Sequence, residues 1–133
     1  MLESLDTLGF SHFKKLIDLI IPKKERRQSN IIISYIRVYT HLNNAFNLLN
    51  KENCRRAFEH LLITKNIIKQ LNFQEEQRYL QRISDILNPI LKNKGAIIMQ
   101  IRMNKAPDPF HVKTSVLLAQ NICILRILKI NKY

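Results

Sequence analysis

Between Glu25 and Asn50, the residues Ile32, Tyr35, Ile36, Tyr39, Leu42, Phe46 and Leu49 recur every three or four positions. A strand would throw alternate members of that set to opposite faces, whereas a helix gathers all of them on one apolar side for about seven turns. The chain then has little means of turning into anything but helices, because it holds only two glycines in 133 residues. The usual share is roughly 7%. Tight hairpin turns and glycine-rich phosphate loops both need that residue, so their absence argues against a sheet protein and against a nucleotide-loop enzyme.

Further stripes follow the same rule. Phe13, Leu16, Ile17, Ile20 and Ile21 stand at helical spacing, with Ser11 as a cap and Pro22 as a stop. The polar break "NKEN" at 50–53 ends the long helix, and Asn53 is placed to cap the next, which carries Ala57, Phe58, Leu61, Leu62, Ile68 and Leu71. These two helices are expected to form an antiparallel hairpin. "NFQE" at 72–75 has capping-box spacing and opens a helix with Tyr79 or Leu80, Ile83, Ile86, Leu87, Ile90 and Leu91 on one side.

Pro89 lacks the donor that a helix interior requires, so a kink, or a restart with Asn88 as cap, is predicted between 88 and Gly95. "AIIMQIRM" at 96–103 suits a strand as well as a buried helix, and the lack of a partner strand favours helix. "NKAPDPF" at 104–110 reads as a loop. The last helix, from about His111 to Lys129, is apolar nearly all round in its second half and is expected to be largely buried. The fold class is therefore all-α: a single compact bundle of five or six helices, with residues 1–133 as one domain.

Chemistry-bearing constellations are sparse. His12, His41, His60 and His111 and the two cysteines, Cys54 and Cys123, form no C-x-x-C, H-x-x-x-H or H-E-x-x-H pair, so no metal or cofactor is expected. The predicted hairpin lets His41 approach Cys54, but two ligands without a third make no zinc site. Glu75 and Glu76 are adjacent carboxylates in a first helical turn, where the helix dipole accounts for them without catalysis. Ser34 and Ser115 have no glycines around them to form a nucleophile elbow. A non-enzymatic protein is expected.

Charge is the informative quantity. Lys and Arg outnumber Asp and Glu by 22 to 10, a formal net charge of +12. Small soluble domains usually stay within about 8 of neutral, so a polyanionic partner is implied. The cations group into "PKKERRQ", with Lys23, Lys24, Arg26 and Arg27, and "KENCRR", with Lys51, Arg55 and Arg56, followed along the same helix by Lys65 and Lys69. These nine residues are the candidate contacts for nucleic acid, RNA or DNA, or for an acidic protein.

The aromatics Tyr35, Tyr39, Phe46 and Phe58 fall on core stripes, and no helix-turn-helix, zinc-finger or RNP motif is present, so backbone phosphates rather than bases are the expected target. The alternative is an adaptor or assembly subunit whose basic surface docks an acidic protein, with its apolar last helix completing a shared core in a homo- or hetero-oligomer. The acidic opening "MLESLD" is unlike a secretory leader, and "VLLAQNICILRILKI" is too short and too polar for a membrane span. An intracellular, soluble protein is expected, and the proline-led basic run also suits a nuclear address.

Overall fold

The computed structural model describes residues 23–51, 53–102 and 110–131. The expected N-terminal stripe from Phe13 to Ile21, Met103 at the end of the 96–103 run, and residues 104–109 of the expected loop lie outside them. The described residues form five α-helices and no strand: α1 (Lys23–Asn50), α2 (Cys54–Gln70), α3 (Gln77–Lys92), α4 (Lys94–Arg102) and α5 (Phe110–Asn131). A single 3-10 turn, Gln74–Glu76, leads into α3.

Each of α1, α2, α3 and α5 packs on two neighbours, so that α1 touches α2, α2 touches α3, α3 touches α5, and α5 closes the ring on α1. Short connections make α1, α2 and α3 antiparallel in turn. Gln120 reaches Asn43 while Arg126, further along α5, reaches the start of α3, so α5 runs antiparallel to both α1 and α3. The short α4 packs on α2 outside this ring.

The core is built from Tyr35, Val38, Leu42, Phe58, Leu61, Leu80, Ile83, Leu87, Val112 and Val116, all at most 1% exposed. On α1 the deepest apolar positions are Ile31, Ile33, Tyr35, Val38, Leu42, Ala45 and Leu49, with Ile32, Ile36, Tyr39 and Phe46 half-buried beside them. The buried arc is rotated from the sequence stripe because α1 is flanked by two helices, and its centre line is drawn by small side chains as well as large ones.

The helix caps depart from expectation more than the helix boundaries do. Asn53 is the N-cap of α2, yet its side chain makes no capping bond, and its carbonyl accepts from the Ala57 amide at 3.1 Å. The "NFQE" box is not formed: Phe73 precedes the 3-10 turn and no side chain caps it. Helix α3 continues through Pro89 and breaks at Asn93, inside the expected 88–95 stretch, with no restart at an Asn88 cap. Pro89 is exposed, so the carbonyl freed by its missing donor faces water and the interruption costs little.

Helix α5 buries one face, Val112, Val116, Ala119, Gln120 and Cys123, and exposes the other. The last helix is therefore buried on one face only, less than the largely buried helix expected. No helix among the described residues is long and apolar enough to cross a membrane.

Candidate functional site

The antiparallel hairpin sorts the nine candidate cations into two ends. Arg26 and Arg27 lie at the start of α1, near the end of α2 that carries Lys65 and Lys69, since Arg27, Arg37, Ile67, Gln70 and Phe73 line one shallow cleft. Lys51, Arg55 and Arg56 sit around the α1–α2 turn, about 40 Å away along a helix rising 1.5 Å per residue. Lys51, Arg55, Arg56 and Lys69 are exposed, while Arg26 and Lys65 are half-buried. Lys23 and Lys24 begin α1, and their side chains are not among those described.

Arg27 is already occupied. Its Nε and Nη2 donate to the Glu75 carboxylate at 3.2 and 2.7 Å, and its guanidinium lies 5.5 Å from the centroid of the Phe73 ring. Hydrogen bonding from Arg27 holds the Glu75 carboxyl below its ordinary range. Both side chains are about half exposed, 54% and 48%, so the pair is screened and contributes little to stability. Its effect is on availability: this guanidinium has a carboxylate in place of a phosphate.

A second, buried network was not read from the sequence. Glu76 is 2% exposed, at the junction between the 3-10 turn and α3. Arg126 donates to it through Nε and Nη2, both at 2.8 Å, and the Tyr35 hydroxyl donates to Oε1 at 2.7 Å. The Arg126 guanidinium also stacks 4.0 Å from the centroid of Tyr79. Both carboxylate oxygens are committed, so the arrangement ties α1, α3 and α5 together and directs no oxygen at an outside molecule.

Burial first, and then the hydrogen bond to Glu76, raise the Tyr35 phenol far above its ordinary value of 10.0. A raised folded-state pKa gives stability that is fully present below the unfolded value and is lost as pH rises past it. Wild-type stability is therefore expected to fall more steeply above about pH 10 than that of Tyr35→Phe, measured by urea denaturation across an alkaline pH series. Parallel declines would remove Tyr35 from the network.

His41 and His60 face each other across the hairpin, Nδ1 to Nδ1 at 3.2 Å. One imidazole must donate and the other accept. Among the described residues, no group of three or more His, Cys, Asp and Glu side chains could hold a metal ion. Cys54 and Cys123 are buried free thiols, and burial pushes Cys123 up to about 12, the environment of an inert packing residue.

One cleft, about 580 Å³, opens between the first turns of α1, the 3-10 turn and the end of α5. Arg27, Gln28, Glu75, Glu76, Arg126 and Lys129 line it, with Ile31 and Ile130. Its two arginines are paired with its two inner glutamates, so the cleft is internally compensated and is no ready anion pocket. No family model, no curated protein and no solved structure matches this chain.

Proposed function

We propose that this chain is a small non-enzymatic helical protein that binds nucleic acid through its backbone phosphates, without strong sequence specificity. The observation that carries this reading is how folding distributes the charges. Glu76 is buried against Arg126, and Glu75 is held by Arg27. The other described carboxylates are Glu25, Glu59 and Asp85, all exposed. Against them the surface displays Lys51, Arg55, Arg56, Lys69, Arg78, Arg82, Lys92 and Lys94.

Spaced cations along helices match spaced phosphates better than a single anionic ligand. Stacking on bases has a single exposed ring to use among the described residues, Phe110 (71% exposed), since Tyr35 and Phe58 are buried and Tyr39, Phe46, Phe73 and Tyr79 are half-buried. The α1–α2 turn, with Lys51, Arg55 and Arg56, is one expected contact. The cluster Lys23, Lys24, Arg26 and Arg27 is the second, weakened by the Arg27–Glu75 pair.

The test is fluorescence anisotropy of labelled duplex and single-stranded probes, of two unrelated sequences, across a salt series. On duplex DNA, log K is expected to fall with log salt by about 0.9 for each phosphate neutralised. Lys51→Gln, Arg55→Gln and Arg56→Gln together should weaken binding alike on both sequences and flatten the slope by up to about 3. The combined Gln variant of residues 23, 24, 26 and 27 should flatten it less. Absence of salt-dependent binding to any probe would turn the proposal to the acidic-protein partner.

A further inference from the structure

Helix α5 turns toward solvent a face of Leu117 (45% exposed), Leu118 (52%), Ile124 (39%), Leu125 (64%) and Leu128 (55%). Asn121 lies at its centre and is also exposed. At 3.6 residues per turn, all of these side chains fall within about 60° of the Asn121 direction. Exposed leucines occurring singly are ordinary, whereas a continuous stripe along most of a helix marks a binding surface.

The stripe reads alike in both directions. Leucines stand three and four residues before Asn121, and Ile124 and Leu125 stand three and four residues after it. Thr114 and Leu128 extend the pattern by seven residues each way. A two-fold axis through Asn121 therefore lays Leu117 and Leu118 of one helix on Ile124 and Leu125 of another, the self-complementarity that an isologous interface requires. A side-chain amide both donates and accepts, so two Asn121 residues meeting on the axis satisfy one another.

Charge and area point to the same occupant. The stripe from Thr114 to Leu128 carries no charged side chain, although the chain as a whole is strongly basic. Lys113 and Lys129 flank it at its two ends. The exposed aliphatic surface is on the order of 500 Å² per copy, or roughly 1,000 Å² for a pair, which reaches the lower bound for a specific interface. We infer that α5 is a dimerisation helix and that its occupant is the α5 of a second copy, antiparallel and crossing at Asn121.

The experiment uses the full chain. Sedimentation equilibrium should show a concentration-dependent dimer, strengthened as salt rises from about 50 to about 300 mM, because each copy carries a formal net charge of +12 and their mutual repulsion is screened. Nucleic-acid binding has the opposite salt dependence, so the failure of one proposal is distinguishable from the failure of the other. Leu118→Glu with Leu125→Glu should weaken dimerisation by at least about thirtyfold with helicity unchanged by circular dichroism.

Geometry is tested by crosslinking. Helix axes about 8–10 Å apart with Cα atoms at a radius of about 2.3 Å bring two residues on the axis to about 3.5–5.5 Å, within reach of a disulfide. Asn121→Cys should therefore oxidise to a covalent dimer, with Cys54 and Cys123 buried out of reach. Leu128→Cys alone should not, since its mate lies about 21 Å away, but it should crosslink when mixed with Thr114→Cys. A monomer at every concentration, a dimer indifferent to the two glutamates, or self-crosslinking of Leu128→Cys would each overturn the inference.

Discussion

Arg126→Met, with Glu76 left in place, is expected to lower unfolding free energy by about 3–5 kcal/mol, the usual cost of leaving one member of a buried ion pair alone. Glu76 and Arg126 side chains are only 3% and 14% exposed, so water does little to replace the lost partner. The Tyr35 hydroxyl remains as the carboxylate's single donor, and one neutral hydrogen bond does not offset the charge. Replacing both members, Glu76→Leu with Arg126→Met, should recover most of the loss, since an apolar pair of similar volume carries no desolvation penalty. Urea denaturation of the two single variants and the double variant completes the cycle. A loss below about 1 kcal/mol in Arg126→Met would show that the pair is solvated and that packing alone seats α5.

How much of this network could be read beforehand depends on which residue is considered. Glu76 alone looked like an ordinary first-turn acid, accounted for by the helix dipole, and nothing local distinguishes it from Glu75. Yet the fold buries Glu76 and exposes Glu75. Arg126 offered the better signal, because a cation within "CILRILKI" on a helix that must bury a face needs a carboxylate or a route to water. Its partner lies 50 residues away, and only the packing of α5 beside α3 selects it.

Helix identity was legible throughout the described chain, including the ambiguous run at 96–103, most of which lies in α4. Periodicity at 3.6 residues survives tertiary context, whereas caps depend on side-chain geometry that spacing does not determine. The capping box at Asn72 failed because Glu75 is drawn to Arg27, a contact 48 residues distant. The last helix is less buried than expected for a related reason. A helix apolar all round has no stripe from which its buried side can be read, so the exposed leucines of α5 emerge only from the packing.

The same limit separates two residues that the α1 stripe treated as equivalents. Leu42 is fully buried, whereas Phe46, one turn later, is half-buried at the margin of the core. Leu42→Ala removes atoms that are fully enclosed in the core and is expected to cost about 2–5 kcal/mol, including the cavity it leaves. Phe46→Ala removes a larger side chain from a place that solvent can partly refill, so its cost should fall to about 1–3 kcal/mol despite the greater volume lost. Denaturant midpoints at unchanged slope measure both. The ordering is the diagnostic: size alone would make Phe46 the costlier deletion, and burial makes it Leu42. A larger loss for Phe46 would mean that α1 is rotated toward the stripe drawn by Ile32, Ile36 and Tyr39, and with it the side of α1 against which α5 packs.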